Sequence, residues 1–238
     1  MVSFDSSDPG TANSDWAQEL RLTAAPPLTP PADLPLVVLA AHPDDETLGA
    51  GGLLHGAAAA GRPVTVVLVT DGRASHASDS IAAVRAAEFD AALAALGVVG
   101  SHSLGYPDGT VREARDAVLA DVAAILRPLP RAQLVAPWRG DGHRDHRVLG
   151  EVAAELADAR GDVLWEYPIW LWHWGSPAHP DVPWDRLGRL PLAPAAQAAK
   201  RDALDAYGSQ TTPRGDEPPQ LHARFLENFD RAFETFVV

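Results

Sequence analysis

The chain has 238 residues, 46% of them hydrophobic and 21% charged, with a formal charge of −13. That balance suits a packed globular protein and excludes wholesale disorder. The excess of acid excludes a broad electrostatic grip on nucleic acid or on an anionic membrane. Cysteine is absent, so disulfides and thiolate metal sites are excluded, and any metal must be held by His, Asp or Glu.

Length favours one large α/β domain over residues 34–238, behind an arm over residues 1–33. No apolar run reaches the ~18 to 20 residues needed to cross a bilayer. The polar, acidic N-terminus does not read as a secretory signal, and a soluble cytoplasmic protein is expected. The one Lys, Lys200, against 18 Arg, with abundant Ala, reads as codon bias.

Prolines in the arm block both helix and central strand. A short helix fits at Trp16, and tight packing of that residue would be the reason to count the arm as structural. A buried strand is expected over 34–42, a helix over 47–61 and a second buried strand over 63–72. A helix over 78–97 opens on Ser and Asp caps and closes on Gly. A weaker third strand precedes the turn at Tyr106-Pro107-Asp108-Gly109. Then follow a helix over 111–127, a strand over 132–138, a helix over 143–160 and a strand over 162–170. The rhythm fails in the Trp- and Pro-rich excursion over 170–194, and two helices, over 195–210 and 218–236, close the chain. The alternation predicts an α/β, Rossmann-like doubly wound, mostly parallel sheet with helices on both faces and a C-terminal irregular or helical extension. In such sheets ligands lie beyond the carboxyl ends of the strands, which is where the titratable clusters fall.

The strongest cluster is His42-Pro43-Asp44-Asp45-Glu46. Three acids beside a His after a buried strand are costly unless a cation neutralises them. His42 and Asp45 converge on one ion as nitrogen and oxygen donors, leaving Asp44 free to accept a proton. Capping of the following helix needs only one acceptor. At the next strand-to-helix junction, His143-Arg144-Asp145-His146 supplies His146 as a third donor. Three protein donors plus water is the pattern of a catalytic zinc. His143 stands outside the metal shell, and Asp145 would bond a ring nitrogen and keep that His protonated as an acid.

These residues carry a resemblance. The segments are AHPDDETLGAGG over 41–52, TDG over 70–72, the Arg85, Glu88, Ala92 and Leu96-Gly97 pattern, YPDG over 106–109 and GHRDH over 142–146. Across roughly 34–210 the chain resembles the LmbE-like, or PIG-L-type, zinc deacetylases, which remove an N-acetyl group from substrates containing N-acetylglucosamine. The resemblance implies His42, Asp45 and His146 as ligands of one zinc per chain, replaceable by another divalent transition metal. It implies Asp44 as general base and His143 as general acid and oxyanion partner, supported by Asp145. It implies Arg85 and Asp108 as holders of sugar hydroxyls, with Asp71 beside them.

Without the resemblance, Arg85 and Glu88 read as a surface ion pair, Asp71-Gly72 as a turn, and the Gly49 to Gly52 run as too poor a match for a phosphate loop. His55, His76, His102, His179 and His222 read as surface residues. The Trp-rich stretch serves either as core or oligomer contact, or as a stacking wall through Trp172 and His173, with Glu166 near the cleft mouth. The expected partner is a small amino-sugar substrate, with no nucleic acid and no membrane insertion, and a homo-oligomer is allowed. The alternatives are a zinc amidase for a non-sugar or longer-acyl amide, and an inactive metal- or carbohydrate-binding module.

Overall fold

The computed structural model describes residues 8–72, 81–213 and 218–238. Seven strands form one sheet in the order β3-β2-β1-β4-β5-β7-β6. They are β1 (Leu36–Ala40), β2 (Val64–Thr70), β3 (Ser101–Tyr106), β4 (Gln133–Pro137), β5 (Val163–Tyr167), β6 (Leu187–Pro191) and β7 (Phe233–Val237). The first five are mutually parallel. The last pair joins antiparallel.

The central strand β1, LVVLA, is buried throughout, because helices cover both faces of a parallel sheet. Its residues divide with period two. Leu36, Val38 and Ala40 enter one apolar cluster, while Val37 and Leu39 enter the other. The principal helices are α3 (Asp45–Ala59), α4 (Ile81–Leu96), α5 (Arg115–Leu126), α6 (Arg144–Arg160) and α8 (Pro194–Asp205). Strand order reverses between β1 and β4, so a crevice opens there at the carboxyl edge. Both motifs, His42 to Glu46 and Asp141 to His146, leave the sheet at that point.

The Ser and Asp caps expected before α4, and His76, lie outside the described residues. The Gly49 to Gly52 run serves packing: a Cβ at Gly49 would lie 2.1 Å from the Tyr167 ring, and one at Gly52 would lie 2.4 Å from Leu192.

The arm carries two short helices, α1 (Asn13–Ala17) and α2 (Leu20–Ala24). Trp16 is fully buried. Its Nε1 donates to the Trp172 carbonyl at 3.0 Å, and its ring meets the edge of Trp172 at 5.1 Å. The arm is therefore packed into the structure.

The excursion folds as α7 (Leu171–Trp174), a 3-10 turn and β6. After α8 come α9 (Gly208–Thr211), α10 (Ala223–Leu226) and a second 3-10 turn. The final helix expected over 218–236 is corrected: the chain ends in β7, inserted between β5 and β6. Aromatic and β-branched residues in FETFV pack best on a pleated surface, and the sheet offers two strand edges to pair with.

Candidate metal centre and its cavity

Strand β1 delivers His42 to Glu46 at the crevice. Asp44 has φ +119° and ψ −30°, and is the only non-glycine residue with positive φ among the described residues. Such backbone is strained for a residue with a Cβ and persists only where neighbours impose it. The Asp44 carbonyl accepts from the N–H groups of Thr47 and Leu48 at 3.1 and 2.9 Å. Its own N–H donates to Glu46 Oε2 at 3.3 Å. Arg85 Nη2 donates to the Pro43 carbonyl at 2.7 Å and to Asp44 Oδ2 at 3.2 Å, and Nη1 donates to the Gly72 carbonyl at 2.9 Å. Beneath the turn, Glu46 Oε1 accepts from Tyr207 at 2.5 Å and from Thr47 at 2.6 Å.

The turn sets Asp45 against two imidazoles. His42 Nδ1 lies 3.2 Å from His146 Nε2. Asp45 Oδ1 lies 3.2 Å from His146 Nε2, and its Oδ2 lies 3.5 Å from His42 Nδ1. Donors bound tetrahedrally at 2.0–2.1 Å stand about 3.4 Å apart. The spacing and the N, N, O chemistry therefore fit one divalent cation. Among the described residues, His42 with His143 and His146, and His42 with Asp108 and Asp145, gather donor atoms within 4.8 Å. The set with Asp45 combines two imidazole nitrogens with one carboxylate, the mixed donor set that suits a catalytic divalent cation.

Each imidazole is held from behind by a carboxylate. His146 Nδ1 faces Asp141 Oδ2 at 2.8 Å. His42 Nε2 faces Asp108 Oδ1 at 2.9 Å and Asp145 Oδ2 at 3.3 Å. Such partners fix ring orientation and raise basicity at the ligand nitrogen.

The charges are coupled. Burial pulls the His42 pKa down, but Asp108, Asp145 and Asp45 outweigh it and raise it well above the ordinary value. Burial likewise opposes the His146 cation, yet Asp45 and Asp141 push its pKa up to about 9. Asp45 is held well below the carboxylate range, burial being outweighed by His146 and His42. The buried carboxylates thus call for positive charge where the imidazole nitrogens meet, and a metal ion competes with protons for that place. Asp44 differs: burial pushes it up to about 8, with Arg85 opposing.

Asp145 does not take the expected position. Its Oδ2 accepts from Gly109 N–H at 2.7 Å and faces His42. Its backbone N–H donates to His143 Nδ1 at 3.2 Å. Instead of being kept protonated, His143 is pushed down to about 3, first by burial and then by His42 and His146.

A cavity of about 370 Å³ opens over the centre. His42, Asp44, Asp45, Arg85, Asp108 and His143 line it. Arg85 is buried rather than paired at the surface, and Glu88 accepts from Ser209 through both carboxylate oxygens at 2.6 Å. Asp71 is not among the lining residues, and its N–H donates to the Tyr106 carbonyl.

Trp172 and His173 are corrected to the core, since both are buried. Trp172 Nε1 donates to the Pro168 carbonyl and its ring carries Arg231. His173 Nε2 meets the Asp8 carbonyl at 2.7 Å. Glu166 is paired with Arg139 at 2.8 Å, away from the mouth. The single turn of α7 rotates these side chains inward and leaves Trp170, one residue earlier, at the cavity.

Sequence reasoning missed Asp141 as a site residue, although its place between β4 and His146 was a signal. It also missed Ile169, Trp170, Gln210, Gln220 and Leu221 in the cavity wall. The Gln and Leu residues carry no motif that would have marked them.

The model of the family described as GlcNAc-PI de-N-acetylase (PIG-L) matches residues 37–157. The 1D-myo-inositol 2-acetamido-2-deoxy-alpha-D-glucopyranoside deacetylase of Rhodococcus jostii is 29% identical over 246 residues, covering 76% of this chain and 84% of that protein. The crystal structure of the antimicrobial reagent A40926 pseudoaglycone deacetylase has a TM-score of 0.64 at 20% identity, over 86% of this chain and 96% of the other. The 4-carboxy-2-hydroxymuconate hydratase of Pseudomonas putida has a TM-score of 0.56 at 17% identity, over 82% of each chain. Those two likenesses show a shared fold. As one fold carries different reactions, function must be argued from the site.

Proposed function

As the chain belongs to the PIG-L family of GlcNAc-PI de-N-acetylases, we propose that it is a metal-dependent hydrolase of N-acetylated amino sugars. It removes the acetyl group from an N-acetylglucosamine-containing sugar or conjugate, giving acetate and a free amine. The observation that carries this is the convergence of His42 Nδ1, His146 Nε2 and the Asp45 carboxylate within 3.5 Å, on a cavity that also presents Asp44.

Those three residues would hold the ion, zinc by the N, N, O donor set, with Fe(II), Co(II) or Mn(II) able to substitute. When bound, the ion supplies Lewis-acid polarisation of the amide carbonyl and acidifies its water. In its ionised form, which Arg85 favours against burial, Asp44 accepts a proton from the attacking water at a carboxylate oxygen, and Arg85 holds that carboxylate in place. His143 receives a backbone N–H at Nδ1, so its neutral ring carries the proton at Nε2. From there it donates to the carbonyl oxygen as negative charge develops. Asp44 then returns its proton to the amine nitrogen as the C–N bond breaks. This assigns to Asp44 the proton delivery expected of His143. Asp108 and Asp145 keep the His42 ring oriented.

Acetate release and free amine, measured together on a panel of N-acetylglucosamine conjugates and of amides with longer acyl chains, test this function. The expected result is acetate and amine in equal amounts from an N-acetyl sugar. Faster cleavage of a longer-acyl, non-sugar amide would replace it with a general amidase, and no cleavage of any N-acetyl sugar would overturn it.

A further inference from the structure

Helix α7 is a single turn, Leu171–Trp174. A lone turn does not hold itself in water, because fixing it costs more than its few hydrogen bonds return. Its ends also leave N–H and carbonyl groups open. Both ends of α7 are satisfied from outside, by parts of the chain far apart in sequence.

At the first end stands Asp141, fully buried. Its Oδ1 accepts from Leu171 N–H at 2.7 Å, and its Oδ2 accepts from Trp170 N–H at 3.0 Å. The same Oδ2 faces His146 Nδ1 at 2.8 Å. A shift of α7 forces a choice on this carboxylate. It either follows the two N–H groups away from the imidazole, or stays and leaves them unpaired in a dry interior.

At the other end stands the arm. The Trp172 carbonyl accepts from Trp16 Nε1 at 3.0 Å. The His173 carbonyl accepts from Thr11 N–H at 2.9 Å, and the Gly175 carbonyl accepts from the Thr11 hydroxyl. Gly10 passes so close that a Cβ there would lie 2.5 Å from the His173 ring. Arg231, whose guanidinium lies over the Trp172 ring, donates through Nε and Nη2 to Asn13 Oδ1 at 3.3 and 3.1 Å.

A continuous series of contacts therefore runs from Trp16 and Thr11 through the α7 backbone to Asp141 and His146. Its outer part, residues 8–24 and 170–175, lies outside the segment matched by the family model, residues 37–157, whereas Asp141 and His146 lie inside it. We propose that Trp16 and Thr11 are positioning residues of the metal centre: the arm fixes α7, and α7 holds Asp141 against the His146 imidazole. Neither arm residue is among those lining the cavity, so their effect reaches the centre through Asp141. The inference rests on His42, Asp45 and His146 as the metal donors.

The test is the zinc affinity of the full chain, read by competition with a chromogenic chelator, beside stability in urea. Trp16→Phe keeps an apolar ring and removes the indole donor. Thr11→Val keeps the side-chain shape and removes the hydroxyl. Leu28→Ala is the control, since Leu28 packs on Gly188 of β6 and loosens the arm away from α7. Trp16→Phe and Thr11→Val are each expected to weaken zinc binding about three- to tenfold, less than the loss of a group bonded directly to a ligand. Leu28→Ala loses stability with zinc affinity unchanged. In an Asp141→Ala background, Trp16→Phe changes zinc affinity no further, because the connection is already cut. Wild-type zinc affinity in both arm variants overturns the proposal. So does an equal loss in Leu28→Ala, or a full additional loss in the Asp141→Ala background. Should Trp16→Phe fail to fold, Thr11→Val decides alone. Failure of the wild-type protein to bind zinc defeats the metal centre itself, whereas zinc binding indifferent to the arm defeats only this inference.

Discussion

Asp44 is held in strained backbone by Arg85, Glu46 and the first turn of α3, and it lines the cavity. Asp44→Asn keeps the shape but cannot accept the proton. Acetate release should fall by about 10²- to 10⁴-fold, the usual contribution of a general base, with metal content unchanged. Loss of the metal along with the activity would move Asp44 into the donor set. Asp141 acts one step back, and Asp141→Ala frees both the His146 ring and the 170–171 backbone. Metal affinity, read by competition with a chromogenic chelator, should drop about 10- to 100-fold. The cluster was legible in sequence because a His and three acids crowded after a buried strand repel one another unless a cation sits among them. Trp172 and His173 were not, because composition marks an aromatic segment but not which residue of a one-turn helix faces the cavity.

Helix α3 is kinked at Ala50, where φ is −141° and ψ is 16°. The cause is an ion pair inserted into its hydrogen-bond ladder. Lys200 Nζ from α8 takes the Leu48 carbonyl at 2.8 Å, which would otherwise receive Gly52 N–H. Gly52 and Leu53 N–H donate instead to Glu234 of β7, at 2.7 and 2.9 Å. Lys200 and Glu234 pair at 2.7 Å, both buried. The only lysine, which composition attributed to codon bias, thus fastens the helix that starts at the proposed metal donors. Lys200→Met leaves the Glu234 charge uncompensated and should cost about 3–5 kcal/mol in urea unfolding. Adding Glu234→Gln should recover part of that loss, and a single variant as stable as wild type would contradict the pairing. The same region explains where element prediction failed. The parallel βα units announce themselves through short apolar runs between caps, but β7 reads as helix locally, and only the edges offered by β5 and β6 make it a strand.

Across the whole molecule, the sheet order brings the β1 and β4 motifs together at the reversal point, although 104 residues separate His42 from His146. The alternation of elements made this legible. The closing of the structure by the arm was not, since a Pro-rich segment has no periodicity to show what it covers. Trp16 lies against Trp172 and Trp184, and the arm meets β6 through Leu28 N–H to the Arg189 carbonyl at 2.7 Å. Trp16→Ala should therefore destabilise the protein by about 3–5 kcal/mol, as a core truncation does. A cost below about 1 kcal/mol would show that the arm adds little. The central claim is that one ion on His42, Asp45 and His146 enables the hydrolysis, and stepwise zinc titration of chelator-stripped protein tests it most directly. Acetate release from an N-acetylglucosamine substrate should be absent without metal and rise to a plateau at one ion per chain, while His146→Ala neither retains the ion nor regains activity. Full turnover by metal-free wild-type protein, or a His146→Ala variant that matches wild type in both metal content and acetate release, would contradict it.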